Sequence, residues 1–284
     1  MRAVDRVAIS PDGHNVYVSS VGGVAVFRRA ADGSLRQLAG RSGCVLAAAG
    51  TACQPRPPWV RRVSALAVSP DGRNVYLIVA SSAQYSNALL VFLRDARTGA
   101  LTPTGGQGGC ISAAFHDDCQ TQAGFNGSSW EFSIAISPNG KNLYVGSGDG
   151  VASFNRAMDG RLKALAGADS CRSASDWTKF CVPENGTQPY TDITVSPDGR
   201  NVYFAHAFGP AALSGTLTAL IRNPSTGALS FLSCEADTGR RCVHTRGLGD
   251  VSGLAVAADG DNLYAVGMDG GIPPAARLTS FRRR

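Results

Sequence analysis

A nine-residue phrase, Ser-Pro-Asp-Gly-x-Asn-Val-Tyr-Val, is repeated along this chain of 284 residues. The five copies, the last of them altered, are Ser10–Val18, Ser69–Leu77, Ser137–Val145, Ser196–Phe204 and Ala257–Ala265. Their tyrosines fall 59, 68, 59 and 61 residues apart, a spacing typical of an array in which each copy builds the same small unit. This repeat restricts the possible folds more than any other feature of the chain.

Each repeat contains the elements of a four-stranded meander. A short alternating run such as Val7-Ala8-Ile9 precedes the motif and predicts a strand. Pro-Asp-Gly then predicts a tight hairpin turn, Asn-Val-Tyr-Val a second strand, and a run that ends in arginine a third. After a glycine-containing turn, fourth strands are predicted to begin at four leucines: Leu35, Leu101, Leu162 and Leu229. Such a unit has the length of a β-propeller blade.

Val-Ser-Pro-Asp-Gly followed by Val-Tyr-Val resembles the YVTN-type β-propeller repeats of the lactonase-like family, including its phosphogluconolactonase-like branch. The resemblance covers nearly all of the chain. It implies an all-β fold of four-stranded antiparallel blades around a central channel. The motif is structural, so it does not by itself imply lactonase activity.

The repeats predict one β-propeller domain over residues 1–284, with blades at about 4–40, 63–105, 131–167, 190–233 and 251–284. Propellers of the lactonase-like family close with seven blades, so five repeats indicate either a small ring or part of a six- or seven-bladed array. The last repeat ends after its third strand. We therefore expect another chain or a missing segment to complete that blade.

Eight cysteines form four local pairs at the same place in successive repeats: Cys44 with Cys53, Cys110 with Cys119, Cys171 with Cys181, and Cys234 with Cys242. Each pair follows the predicted fourth strand, in the insertion that leads to the next repeat. Zinc is the alternative, but the spacings are far from Cys-x-x-Cys and no histidine recurs beside them. The pattern predicts four disulfides and hence an extracytoplasmic or secreted protein. The chain has no signal peptide, which loss of preceding residues would reconcile with that location.

A net charge of +6 does not indicate a nucleic-acid partner. One arginine recurs at the end of each third strand, and this regularity predicts a structural role as an ion-pair or turn partner for Arg29, Arg94, Arg156, Arg222 and Arg283. No basic stripe interleaved with aromatic residues and no known nucleic-acid module is present. No apolar run is long enough to span a membrane.

The insertions contain most of the unusual side chains, and propeller geometry places them on one face together with the links between second and third strands. We therefore predict binding of a protein, glycan or small ligand on this face. The predicted ligand-binding residues are Trp59, Tyr85, Phe115, Trp130 and Trp177. Packing of these aromatic rings beneath their own loops is the alternative for each of them.

Lactone hydrolysis is the alternative function, and whether the chain is an enzyme is left open. It requires a general base and a group that stabilises an oxyanion. The candidate catalytic residues are His116, His206, His244, Glu131 and Asp192. No cofactor is predicted, although a cluster of Asp5, Glu131, Asp192 and Asp250 at the channel mouth would suit a divalent cation.

Overall fold

The structure, a computed structural model, describes residues 4–46, 52–55, 57, 60–81, 87–106, 108–112, 119–121, 132–147, 150–173, 182–183, 190–206, 215–236, 242–245, 248–268 and 276–283. These residues form five successive antiparallel sheets, and no α-helix occurs among them. The predicted fold class, all-β with five repeats of β-propeller type, is confirmed. The chain divides into two compact units, Met1–Gln122 with Arg156–Lys163, and Ala123–Asn155 with Ala164–Arg284.

The first unit contains sheets 1 and 2. Sheet 1 consists of β1 (Val4–Ile9), β2 (Asn15–Ser20), β3 (Gly23–Arg29), β4 (Leu35–Gln37) and β5 (Cys44–Val45). Sheet 2 consists of β6 (Val60–Val68), β7 (Asn74–Ser81), β8 (Ala88–Arg94), β9 (Leu101–Pro103), β10 (Cys110–Ser112) and β11 (Gln120–Thr121). In both sheets the first three strands form a meander, and two short strands share the outer edge of the third.

The second unit contains most of sheet 3 and all of sheets 4 and 5. Sheet 3 has β12 (Ser133–Ile136), β13 (Asn142–Ser147), β14 (Gly150–Arg156), β15 (Leu162–Ala164), which straddles the boundary between the units, β16 (Cys171–Ser173) and β17 (Val182–Pro183). Sheet 4 has β18 (Tyr190–Val195), β19 (Asn201–His206), β20 (Thr216–Arg222), β21 (Leu229–Ala236) and β22 (Val243–His244). Sheet 5 has β23 (Asp250–Val256), β24 (Asn262–Met268) and β25 (Ala276–Arg282).

The fourth strands begin at the predicted leucines, but the first three repeats divide this strand in two. Between β4 and β5 the backbone makes a 3-10 turn at Gly40–Gly43, and between β9 and β10 it passes through Gly105 and Gly106, both at positive φ. Glycine adopts that conformation without steric cost. Sheet 4 has no glycine between Leu229 and Cys234, and β21 runs through unbroken with one bulge.

The Ser-Pro-Asp-Gly motif builds the same hairpin in each sheet. In the first copy, the Ser10 hydroxyl donates to Asp12 at 2.5 Å and accepts from the Asn15 amide at 2.9 Å, while Gly13 has a φ of 72°. The small central residue of the first strand lies directly opposite the motif tyrosine, as Ala8 does opposite Tyr17. A larger side chain at this position would compete with the buried tyrosine ring for space.

The core consists of apolar clusters between consecutive sheets. Tyr17, Val24 and Val26 of sheet 1 pack against residues of sheet 2 that include Val75 and Leu101. Sheets 3 and 4 share a second cluster, and sheets 4 and 5 share a third. Each sheet therefore depends on its neighbour to bury its apolar face, as expected for a repeat protein.

An arginine from each of four repeats reaches back into the hairpin of the repeat before it. Arg94 donates to the Tyr17 hydroxyl at 3.0 Å, to Asp12 at 2.7 Å and to the Asn15 side chain at 2.6 Å. Arg156, Arg222 and Arg283 bind the tyrosine and asparagine of their preceding repeats in the same way. We call this arrangement the arginine clamp. It confirms the structural role predicted for four of the five recurring arginines.

A glycine carbonyl completes the clamp from the turn that follows the arginine. The Tyr17 hydroxyl donates to Gly99 at 2.9 Å, and the Tyr144 hydroxyl donates to Gly227 at 2.8 Å. A Cβ atom at Gly227 would lie 2.1 Å from the Asn142 amide nitrogen, and its φ is 81°. Only glycine fits against the Asn142 side chain at this backbone conformation.

The environment of the clamp shifts the pKa of its titratable groups. Burial raises the pKa of Tyr17 and of Tyr144 to about 12, because a phenolate would lose its hydration. Burial acts to raise the pKa of Asp12, but hydrogen bonds from Ser10, the His14 amide and Arg94 outweigh it and hold this pKa at about 2. At neutral pH the tyrosine is therefore a neutral donor and the aspartate a charged acceptor.

The third hairpin has Asn139 where the other clamps have an aspartate. Arg222 lies 3.4 Å from the Asn139 side-chain oxygen, whereas Arg94 and Arg156 approach Asp12 and Asp71 at 2.7 and 2.8 Å. Arg222 is 2% exposed, and among the described residues no carboxylate pairs with it. Its charge is therefore balanced by neutral acceptors alone.

We expect Asn139→Asp to stabilise the protein, because a charge-assisted bond would replace a long neutral one. A gain of about 1 kcal/mol in the free energy of unfolding at pH 7 is expected for a pair of this exposure. The new carboxyl should have a lowered pKa, so the gain is present above the unfolded pKa of about 3.9 and is lost as the pH falls below it. Urea unfolding of both proteins at pH 7 and pH 2.5 tests this, and an equal or larger gain at pH 2.5 would contradict it.

Candidate binding surface at the disulfide-bridged ends

The structure contains three of the four predicted disulfides. Cys44–Cys53, Cys110–Cys119 and Cys234–Cys242 are bridged, with Cα atoms 4.9, 4.6 and 4.9 Å apart. Cys171 is also disulfide-bonded, and Cys181, its predicted partner, lies outside the described residues. Among the described cysteines none is free.

Each bridge joins the outer strand of a sheet to a segment that returns beside it. Cys110 and Cys234 lie in strands β10 and β21. The segments after the second cysteines, β11 and β22, then pair in parallel with these strands, as β17 does with β16. In sheet 1 the same return is a single bond from the Gln54 amide to the Cys44 carbonyl. Sequence reasoning missed this added outer strand, because two paired residues give no periodicity.

The bridged segments share one end of each sheet with the link between second and third strands. In sheet 2, Ala88 of β8 is paired with Ser112 of β10, and Ser112 is paired with Thr121 of β11. In sheet 4, four neighbouring strands are paired in one row through His206, Thr216, Ala236 and His244. Within each of these sheets, the predicted grouping of the loops on one face agrees with the register. We call this the bridged end of the sheet.

The bridged end of sheet 4 combines exposed apolar and polar groups. The Thr245 hydroxyl donates to the Glu235 carboxylate at 2.5 Å, which holds the returning segment against β21. Val243 is 61% exposed, and His244 is exposed beside it. Such a surface can contact a partner through both apolar packing and hydrogen bonds.

The described candidate catalytic residues do not form an acid–base pair. His206 and His244 lie in one row of sheet 4 but are separated by three strand spacings, or roughly 14 Å. His116 and Glu131 lie outside the described residues. The strand register therefore does not place these two histidines side by side.

Asp192 has a structural role in the second unit. Its carboxylate accepts from the Ser133 hydroxyl at 2.8 Å and from the Leu254 amide at 2.8 Å, so it joins the first strands of sheets 3, 4 and 5. It also accepts from its neighbour Ile193 at 2.9 Å. These bonds hold the Asp192 carboxylate in place between the strands.

The proposed acidic cluster for a cation is not assembled within the described residues. Asp5 pairs with Arg62 at 3.5 Å in the first unit, whereas Asp192 belongs to the second. Glu131 and the side chain of Asp250 are outside the description. No group of three or more potential metal ligands occurs among the side chains that the structure describes, and the divalent cation stays a prediction.

All five predicted ligand-binding residues, Trp59, Tyr85, Phe115, Trp130 and Trp177, lie outside the described residues. The structure does fix the strands that flank them. Val60 directly follows Trp59 and is buried at the start of β6, and Phe132 is buried just before β12. The insertions therefore end on well-packed positions of the sheets.

Known proteins share the fold of this chain without close sequence identity. No family profile matches the chain, and no curated protein is detectably related to it. The hydrazine synthase of Kuenenia stuttgartiensis is 14% identical, with a TM-score of 0.59 over 99% of this chain and 63% of its own. A Bacteroides uniformis protein provisionally named a 6-phosphogluconolactonase is 18% identical, with a TM-score of 0.53 over 97% of this chain and 70% of its own. The chain thus spans less than two thirds of the hydrazine synthase chain, and both likenesses concern the fold alone.

Proposed function

We propose that this protein is an extracytoplasmic binding scaffold that holds a protein, glycan or small ligand at the bridged ends of its sheets. The observation that supports the proposal most is the repetition of the bridge. The first cysteine lies in an outer strand in sheets 1, 2 and 4, and the chain after the second cysteine returns beside that strand. Because the bridge recurs at the same place in these sheets, each insertion has the same covalent anchor on its own sheet.

The bridges prepare the insertions for binding. Each one fixes the start of an insertion on its sheet through a covalent bond and a parallel pairing. A loop that is already restrained loses less conformational entropy when a ligand orders it. Loops on a rigid scaffold are the usual location of binding sites.

The disulfides also support the location. Such bridges persist in oxidising compartments and are rare in the cytosol of most organisms. No helix in the described part of the chain is long and apolar enough to cross a membrane. A ligand from outside the cytoplasm is therefore the proposed partner.

Tryptophan fluorescence offers a direct test, because the only three tryptophans of the chain, Trp59, Trp130 and Trp177, lie in the insertions. If the bridged ends bind ligands through aromatic rings, acrylamide should quench the free protein strongly. A soluble oligosaccharide panel should then reduce quenching for the ligands that bind, and replacing all three tryptophans by alanine should abolish capture of those ligands.

Two results would count against this proposal. Weak quenching in the free protein would show that the rings pack beneath their own loops. Release of acid from a lactone panel above the buffer rate, lost in His206→Ala, would favour the alternative of lactone hydrolysis. That alternative draws on the resemblance of the repeats and on the fold of the Bacteroides uniformis protein, and the described histidines give it no assembled site.

A further inference from the structure

A cavity of 990 Å³ lies in the second unit, between sheets 4 and 5. Among the described residues, it extends along the end of β25. Its lining includes six residues that the argument uses: Asn201, Tyr203, Leu217, Leu232, Phe281 and Arg283. We call it the β25 groove.

In earlier repeats the equivalent place is occupied by a turn and the start of the fourth strand. Between sheets 3 and 4, Gly227 accepts from the Tyr144 hydroxyl, and Leu229 is buried in the shared cluster. Between sheets 1 and 2, the Thr98 carbonyl accepts from the Asn15 side chain at 3.1 Å, and Leu101 is buried. The segments that form this turn and the start of the fourth strand have the sequence Thr-Gly-Ala-Leu at 98–101 and at 226–229, and Asp-Gly-Arg-Leu at 159–162.

The β25 groove contains the tyrosine and asparagine side chains that contact the turn in earlier repeats, but their donors are only partly used within the described residues. Tyr203 accepts from Arg283 at 2.8 Å, yet no described residue accepts from its hydroxyl. The Asn201 amide nitrogen has one long contact, 3.4 Å to the Leu220 carbonyl of its own sheet. These two donors are the ones that contact the incoming turn in earlier repeats.

The strand edge needed for pairing, Phe281–Arg283, has no partner strand on its outer side within the described residues. In sheets 1 and 2 the fourth strand pairs with the last three residues of the third, as Phe92–Arg94 pairs with Leu101–Pro103. The equivalent residues of sheet 5 are Phe281–Arg283, and all three line the groove. Among the described residues, the only strand paired with β25 is β24.

We propose that the β25 groove binds an extended polypeptide segment with the sequence Thr-Gly-x-Leu or Asp-Gly-x-Leu. The segment pairs antiparallel with Phe281–Arg283. Its glycine carbonyl accepts from Tyr203, and the carbonyl before it accepts from Asn201. Its leucine enters the apolar part of the groove beside Leu217. Addition of a strand to a free sheet edge is a common mode of peptide recognition.

The groove should select glycine as well as leucine. In the equivalent contact between sheets 3 and 4, a Cβ atom on Gly227 would collide with Asn142. Asn201 has the same place in the β25 groove. An alanine in the bound segment would therefore meet the Asn201 side chain and would also disfavour the positive φ of the turn.

The test uses the full chain and a fluorescein-labelled peptide of residues 223–232, which contains Thr-Gly-Ala-Leu. We expect saturable binding by fluorescence anisotropy and at least tenfold weaker binding of peptides that carry Gly227→Ala or Leu229→Asp. Protein with Tyr203→Phe should bind about tenfold more weakly, the expected effect of one lost buried hydrogen bond. Tyr264→Phe is the matched control, because Tyr264 is the equivalent residue of sheet 5 and does not line the groove.

Equal binding of the three peptides, or no binding of any, would overturn the proposal. Equal losses in Tyr203→Phe and Tyr264→Phe would also overturn it, because the groove would not then be the site. Circular dichroism of both variants establishes that each is folded. The tryptophan measurements report on the insertions, so the two proposals can fail separately.

Discussion

Protein that is reduced and alkylated before refolding is expected to lose about 2.6 kcal/mol of unfolding free energy for each disulfide, according to the chain-entropy relation for loops of this length. The three described bridges close loops with sequence separations of 9, 9 and 8 residues. Their summed loss of about 8 kcal/mol is comparable with the whole stability of many proteins. Urea unfolding of oxidised and reduced protein measures the difference.

The loss should also have a local consequence at the bridged ends. Strands β11 and β22 each pair through two residues, which is too little to hold them without the covalent link. Hydrogen exchange should therefore increase first in 119–121 and 242–245. Protein treated with the alkylating reagent without reduction is the control. Equal unfolding midpoints for oxidised and reduced protein would contradict this account.

Arg222→Ala is expected to cost about 3 kcal/mol, because a buried acceptor left without its donor costs about 1–3 kcal/mol. Arg222 donates to the Tyr144 hydroxyl at 2.9 Å, to the Gly199 carbonyl at 2.8 Å and to the Asn142 side chain. Its removal leaves buried acceptors without a donor and opens space between sheets 3 and 4. Thermal and urea unfolding should both report the loss.

Arg29→Ala is the matched control for that variant. Arg29 occupies the same place in the first repeat, but it is exposed, and its side chain has no clamp partner among the described residues. Its replacement should change the free energy of unfolding by less than about 0.5 kcal/mol, as for most surface substitutions. Equal losses in the two variants would show that the clamp adds nothing to stability.

In the terminal repeats, residues at equivalent sequence positions are less buried than in the central repeats. Leu35 is 50% exposed, whereas the equivalent Leu101 and Leu229 are each 1% exposed. Tyr264 is 37% exposed, whereas Tyr17, Tyr76 and Tyr144 are fully buried. Sequence equivalence predicts the same strand at each position. Burial differs because it depends on which sheet lies alongside.

The cysteine pairs and the β25 groove also differ in how far the sequence predicts them. The cysteine pairs were predictable, because their spacing recurs with the repeat and two cysteines 8 or 9 residues apart can readily meet. The incomplete last repeat was predicted, but the lining of the β25 groove was not, since its residues come from β19, β20, β21, β24 and the end of β25. One signal was present: an arginine recurs 77–80 residues after a motif tyrosine, as Arg94 follows Tyr17 and Arg283 follows Tyr203.

The sequence by itself determined the strands, the hairpin turns, the leucines that begin the fourth strands and the cysteine pairs. These features depend on local backbone preferences and on a period that the repeat displays directly. The tertiary structure alone decided that the recurring arginine binds the hairpin of the preceding repeat, that Asp192 joins three strands, and that the bridged segments add an outer strand. Those contacts join residues that are mostly tens of positions apart, and their energy comes from burial and hydrogen-bond geometry, which exist only once the sheets have packed.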